Sequence, residues 1–239
     1  MLQKVLSLVR RCCEDYTMIS PGERIAVGLS GGKDSLVMLL ALAAMRGFYP
    51  VPYEVAAVTV DVGVGGVDYT AVGELCKSLN VRHEIVKTQI FEVVFNIRRE
   101  SNPCALCAKM RRGVLHDAAL ELGCHKIALG HNRDDAVETL MMSQIYEGRI
   151  SCFSPVTYLS RKDIHVIRPL LYVPEKVVRS CARGEGLPVT PNPCPANGYS
   201  KRQEIKELIR TLERTYPGLS KRLFGAMQRL PLADWEKNR

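Results

Sequence analysis

Apolar side chains recur along this chain with two different periods, and the way those periods alternate lays out a fold. Near the start, Leu2, Val5, Leu6, Val9 and Cys13 fall at helical spacing, which predicts an amphipathic helix over residues 2–13 that packs on the main domain. Pro21-Gly22 breaks the pattern, and RIAVGL (24–29) reads as a buried strand. A helix over 34–46 follows, ended by Gly47. Its run LVMLLALAAM (36–45) is too short to span a bilayer and reads as a buried helix. Next come the strand EVAAVTV, ending at Asp61, a glycine-rich loop, a helix over 69–80 and the strand RHEIVK. A helix over 108–122, the strand KIALG (126–130) and a helix over 131–148 complete the series.

Strands alternating with helices at this spacing predict an α/β fold, with a parallel sheet covered by helices on both faces. Beyond HVIRPLLYVP the pattern changes. A helix over 175–184 precedes GLPVTPNPCPANGY, too rich in proline for a regular element, and two helices over 201–215 and 219–230 follow. There is no internal repeat.

A chain of 239 residues accommodates one such domain with a sizeable core. No run is long enough for a membrane span, and the N-terminus lacks an apolar segment followed by a small-residue cleavage site, so a cytoplasmic location is expected. The net charge of +8 points toward a polyanionic partner, with an inert basic surface as the alternative. Nine cysteines, an odd number without an export signal, favour metal or catalytic roles over disulfides. Six of them, Cys12, Cys13, Cys76, Cys124, Cys152 and Cys181, stand apart from any ligand-like motif and read mostly as small buried hydrophobes.

SGGKDS (30–35) lies between an expected strand and an expected helix. Gly31 and Gly32 let backbone approach an anion, and the helix start directs free N–H groups at it. Ser30 and Ser35 are expected to donate to phosphate oxygens, Lys33 to add a cation, and Asp34 to engage Mg²⁺ or cap the helix. The spacing is not GxxxxGK[ST], so γ-phosphate transfer is not implied.

SGGKDS resembles the PP-loop of the ATP pyrophosphatases, which cleave ATP to AMP and pyrophosphate while adenylating a substrate. VTVD, ending in Asp61, and LGHNRDDAVET, similar to that group's GHxxDD segment, follow in the matching order. The resemblance implies a Rossmann-like fold of the adenine nucleotide alpha hydrolase type, with helical elements at both ends. It further implies ATP contacts at Asp61, Gly130 and His131. Asp134 and Asp135 would start a helix beside the phosphate loop, and carboxylates beside a triphosphate call for a bridging cation, so Mg²⁺ is inferred at Asp34, Asp134 and Asp135. An acidic first turn favoured by the helix dipole is the plainer reading of that pair, with Asp134 the preferred ligand of the two.

Cys104 and Cys107 have the spacing of a metal or cluster site, and Cys194 is the other cysteine in a comparable loop. Three thiolates suit a cluster with one open iron. Zinc with His125 or His131 as fourth ligand competes, as does a redox dithiol. The stretch from PCALCAKMRRG through GHNRDDAVETL, with HVIRPLLYVPEK and YPGLSKRLFGAMQ, resembles the tRNA 2-thiocytidine biosynthesis (TtcA) family over essentially the whole chain. That resemblance implies a [4Fe-4S] cluster held by Cys104, Cys107 and Cys194, used with ATP and Mg²⁺ to thiolate a cytidine of the tRNA anticodon loop. Lys33, Asp34, Asp134 and Arg168 take the catalytic roles. A homodimer is implied, with sulfur from a cysteine desulfurase or free sulfide. The chain then divides into an N-terminal helix (1–20), the PP-loop domain with its CxxC insertion (21–170), and a helical region carrying the third cysteine (171–239). One departure stands out: the family's late loop reads PCNLCG, a second CxxC, whereas this chain has PNPCPANG and keeps one cysteine. Lys109, Arg111, Arg112, Arg133, Arg149 and Arg168 are candidates for the RNA phosphate footprint, with ordinary solvated charges as the alternative for many of them.

Overall fold

The computed structural model describes residues 1–98, 103–190, 194, 201–229, 232, 235 and 236. The alternation expected from the apolar pattern is present: α1 (Leu2–Asp15), β1 (Glu23–Gly28), α2 (Lys33–Met45), β2 (Tyr53–Asp61), α3 (Thr70–Ser78), β3 (Arg82–Lys87), α4 (Pro103–Glu121), β4 (Lys126–Ala128) and α5 (Arg133–Glu147). A hairpin of β5 (Val156–Leu159) and β6 (Ile164–Ile167) follows, and α6 (Glu175–Gly184), α7 (Lys201–Thr215) and α8 (Leu219–Arg229) close the fold.

The sheet order is β3-β2-β1-β4-β6-β5, parallel throughout except for β5, which runs antiparallel to β6. Two-residue alternation divides each central strand between two cores. Ile25 and Val27 of β1 and Val55 and Ala57 of β2 face one side, where α1, α2, α5, α6 and α8 pack. Ala26, Ala56 and Val58 face the other, covered by Leu115, Ala118 and Ala119 of α4. Helix α2 is buried nearly all round, as its unbroken apolar run requires. Helix α1 buries Val5, Leu6, Val9, Cys12 and Cys13 in the same core. Five of the six cysteines read as small hydrophobes are buried, while Cys152 is half-buried.

Three features depart from the sequence reading. Helix α4 begins at Pro103, five residues ahead of the expected start, because proline with its fixed φ suits a first helical position. Cys104 and Cys107 therefore lie three apart on one helix face. β5 was not anticipated: it is a four-residue edge strand that is nowhere fully buried, so its apolar pattern is weak. A six-residue π-helical turn, Glu92–Ile97, also carries no periodic signal.

At the far end of the chain, the one tryptophan, Trp235, is buried against Phe224 (ring centroids 5.7 Å apart) and donates its indole N–H to the Phe153 carbonyl at 3.2 Å. No helix among the described residues is long and apolar enough to cross a membrane.

A candidate nucleotide and cysteine site at the switch of the sheet

The chain leaves β1 toward β2 on one side and adds β4 and β6 on the other, so the crevice between the ends of β1 and β4 is the topological switch point, where such sheets bind ligands. The 30–35 loop leaves β1 there. Gly31 adopts φ +75°, a conformation that L side chains rarely take, and Gly32 caps α2. The two serines hold the loop in shape. Ser35 Oγ accepts from Ser30 N–H (3.1 Å) and donates to the Gly32 carbonyl (3.0 Å), while Ser30 Oγ accepts from Gly32 N–H (3.3 Å). With the two hydroxyls 3.1 Å apart, this loop closes on itself.

Residues 130–135 press against it from β4. A Cβ on Gly130 would lie 3.1 Å from Asp34 C and Ser35 N, so the chain passes here only without a side chain. Buried Asn132 caps α5: its Oδ1 accepts from Asp134 and Asp135 N–H (2.9 and 3.2 Å), and its own N–H donates to Asp135 Oδ2 (2.8 Å). Its Nδ2 donates to Asp34 Oδ1 at 2.9 Å, tying α5 to α2. Asp34 Oδ2 receives Lys33 Nζ at 2.7 Å, and Lys33 also meets Glu175 Oε1 at 3.2 Å. Burial raises the Asp135 carboxyl, and the nearby charge of Asp34 raises it further, while Asn132 bonds to both. Asp134 differs: its Oδ2 accepts the N–H of Glu175 at 2.7 Å, the first residue of α6.

Above the loop opens a cavity of about 640 Å³. Ser30, Asp34, Ser35 and Gly130 form its floor, Arg111, Arg112 and His116 of α4 line another side, and Val58, Val60, Leu129 and Val166 give it apolar walls. His131 and Arg168 lie against opposite ends of one aromatic contact. His131 stacks on Phe153 (4.8 Å), and the Arg168 guanidinium sits over the same ring (4.9 Å). Burial, with Arg168 and Arg202 nearby, pushes the His131 imidazole down to about 3, so it is neutral at pH 7, and among the described residues its buried Nδ1 has no hydrogen-bond partner. Arg168 donates to the Ser154 carbonyl and to Thr157 Oγ1, and among the described residues no carboxylate pairs with it. Burial lowers it to about 10, which leaves it cationic. Asp61 ends β2 beside Val60, its Oδ1 accepting from Gly63 N–H at 3.0 Å, and does not itself line the cavity.

The same helix that roofs the cavity carries Cys104, exposed, and Cys107, half-buried. Burial raises the Cys107 thiol, Arg111 lowers it, and Cys194 and Cys104 raise it, so Cys107 lies within electrostatic reach of each of the other two. Thr190, four residues before Cys194, is tied to the phosphate loop. Thr190 N–H donates to the Gly31 carbonyl at 2.9 Å, and the Thr190 side chain fills the space beside Gly31. The rest of the late proline-rich loop, 191–193 and 195–200, lies outside the described residues. One zinc ion would draw its thiolates to within about 4 Å of each other. Among the described residues no three His, Cys, Asp or Glu form such a group. His125, considered as a zinc ligand, precedes β4 at the opposite end of the strand from the site and meets the Asp163 carbonyl.

A PP-loop domain model matches residues 3–211. The chain belongs to the PP-loop domain family. Among curated relatives of this PP-loop protein is a tRNA-cytidine(32) 2-sulfurtransferase of Geobacter sulfurreducens, 36% identical over 94% of this chain and 89% of the relative. Another of the same description, from Syntrophotalea carbinolica, is 37% identical over 95% of this chain and 89% of the relative. The U34-tRNA thiolase NcsA from Methanococcus maripaludis, solved with its [4Fe-4S] cluster, superposes with a TM-score of 0.77 at 28% identity, covering 95% of this chain and 78% of that one. The α/β architecture read from the sequence is thus the PP-loop fold.

Several residues of the PP-loop site escaped the sequence reading. Asn132 had a legible signal, because Asn with Asp three residues on is a capping pattern. Thr190, Glu175, Lys206, Glu138 and Arg202 had none, since their partners come from distant segments. Of the basic residues, Arg111, Arg112 and Arg168 line the cavity and Lys109 is exposed beside them. Arg149 is exposed and pairs with Glu147 at 2.6 Å, and the Arg133 Nε is buried.

Proposed function

We propose that the protein is an ATP-dependent tRNA sulfurtransferase that converts an anticodon-loop cytidine to 2-thiocytidine, as the names of its curated relatives indicate for them. One observation carries the reading: a single cavity is bounded by the phosphate loop on one side and, on the other, by the helix bearing Cys104 and Cys107. Activation and sulfur delivery then open onto the same space.

The cytosine C2 oxygen is a poor leaving group. Its attack on the α-phosphorus of ATP, with cleavage of the α–β bond, releases pyrophosphate and leaves AMP on that oxygen. Sulfide then attacks C2, the C2–O bond breaks, and AMP departs. Ser30, Gly31, Gly32 and Ser35 offer the backbone cradle for the phosphates, and Lys33 adds the cation that offsets charge on departing pyrophosphate. Gly130 and His131 border the nucleoside end, and Asp61, set back from the cavity at the end of β2, is assigned to the same end. Asp34 and Asp135, both bonded to Asn132, would hold Mg²⁺ on the triphosphate, and Asp134 anchors α6 beside them. Arg168, a buried cation with no carboxylate partner among the described residues, meets negative charge at the reacting centre. Cys104, Cys107 and Cys194 would hold a [4Fe-4S] cluster, whose several irons ask for less crowding of the thiolates than one zinc ion does. When bound, such a cluster supplies a place at which sulfide is carried to the base.

Lys109, Arg111 and Arg112 flank the cavity and would receive the RNA backbone around an unstacked base. A cytoplasmic location, action as a homodimer, and sulfur from a cysteine desulfurase or free sulfide complete the proposal. So does a functional division of the chain into 1–20, 21–170 and 171–239. NcsA, a U34-tRNA thiolase, supports a second reading in which the base is another pyrimidine. Nucleoside analysis of tRNA from a deletion strain decides: loss of 2-thiocytidine, restored by the gene, is expected, whereas unchanged 2-thiocytidine would overturn the proposal. Release of pyrophosphate that depends on tRNA checks the activation step.

A further inference from the structure

Lys33, the lysine of the phosphate loop, is not held by its own loop alone. Its Nζ is shared between Asp34 Oδ2 (2.7 Å) and Glu175 Oε1 (3.2 Å) at the start of α6. Glu175 in turn is crowded by cations. Arg179 meets Oε1 at 3.2 Å, and Lys206 of α7 meets Oε2 at 2.8 Å. Lys206 and Arg202 continue the chain of charges to buried Glu138 of α5 at 3.9 and 3.2 Å. The Glu175 side chain is 15% exposed, so its charges act through little water.

We infer that Glu175 is a positioning residue that parks the Lys33 ammonium while the loop is empty and releases it to the phosphates of the nucleotide, with Lys206 of α7 holding the carboxylate that Lys33 leaves. The inference rests on ATP binding at this loop, the reading proposed above. A triphosphate arriving at the loop competes with two carboxylates for one ammonium. Glu175 can give it up at small cost because Arg179 and Lys206 remain to balance the carboxylate, whereas an isolated partner would be left buried and unpaired. Helix α7 begins shortly after Cys194, so its docking through Lys206 sets how firmly Glu175 grips Lys33. The grip of the C-terminal helix and the nucleotide affinity of the loop become one equilibrium.

The test is the affinity of the full-length protein for α,β-methylene-ATP with Mg²⁺, which binds without cleavage. Glu175→Gln keeps the size of the side chain and the backbone N–H that bonds Asp134, but drops the competing charge, and is expected to tighten binding about tenfold. Lys206→Met leaves Glu175 to grip Lys33 harder and is expected to weaken binding about threefold. Both effects are expected to fall within about twofold in a Lys33→Met background, the pattern of a double-mutant cycle. Unchanged affinity in Glu175→Gln overturns the inference. So do shifts that persist without Lys33, which would make both residues general contributors to the local field. If Glu175→Gln does not fold, the Lys206→Met cycle decides alone. If the wild-type protein does not bind the analogue, the ATP reading itself falls and this inference with it.

Discussion

The two halves of the site are built in different ways. The phosphate half is assembled from the ends of adjacent strands, and its side chains are fixed by one another: Ser30 with Ser35, Asn132 with Asp34, Gly130 against the backbone of α2. The cysteine half joins the first turns of α4 to a segment far along the chain, tethered at Thr190, with one thiol exposed and two half-buried. A preorganised cradle suits a step whose demand is electrostatic, because donors already in place need no rearrangement when charge develops. Thiols brought near each other without a mononuclear geometry suit a site that takes its final form around what it binds.

That contrast can be broken most sharply at Cys194. Cys194→Ala is expected to abolish 2-thiocytidine formation and cluster iron while binding of α,β-methylene-ATP stays within about twofold, as for distant, independent sites. A matching loss of nucleotide binding would show the two halves to be one unit. The next largest effect is a pH dependence. An imidazole that titrates at 6.5 when unfolded and at about 3 when folded stays neutral in the native state while the unfolded chain takes up a proton. Its contribution therefore makes the protein lose stability as pH falls from 6.5 toward 3, at up to about 1.4 kcal/mol per pH unit. Urea melts at pH 7 and pH 4.5 are expected to differ less in His131→Gln than in the wild type. Asn132→Ala removes a helix cap and the bond to Asp34 together, and a loss of about 1–2 kcal/mol is expected in the same melts. Nucleotide affinity should fall with it, since the cradle is what loosens. Smallest of all, Arg149→Ala at an exposed pair with Glu147 is expected to leave the urea midpoint and nucleotide binding unchanged.

Local chemistry made the phosphate half legible in the sequence. A buried strand, two glycines and a helix start are contiguous, and the apolar run of α2 forces that helix into the core and aims its N-terminus at the crevice. The helix start at Pro103 has a local signal too, since proline suits a first helical position. What sequence patterning does not carry is pairing between remote segments. Glu175 looks like an ordinary first-turn acid with an arginine four residues on, and only the folded chain brings Lys33 and Lys206 to it. β5 is obscure for a related reason, since an edge strand needs its hairpin partner more than its own composition. For the cysteines, spacing defined a pair, the proline-rich setting of Cys194 nominated a third, and family resemblance assigned all three to one cluster.

Trp235 gives the molecule an optical property of its own. A chain with a single indole emits from one place, and here that place is hydrogen-bonded to the carbonyl of Phe153, whose ring lies between His131 and Arg168 at the edge of the cavity. A ligand whose contacts with His131 or Arg168 shift the Phe153 backbone would displace the dipole next to the indole, and the emission of the unlabelled protein would then report on occupancy of the cavity.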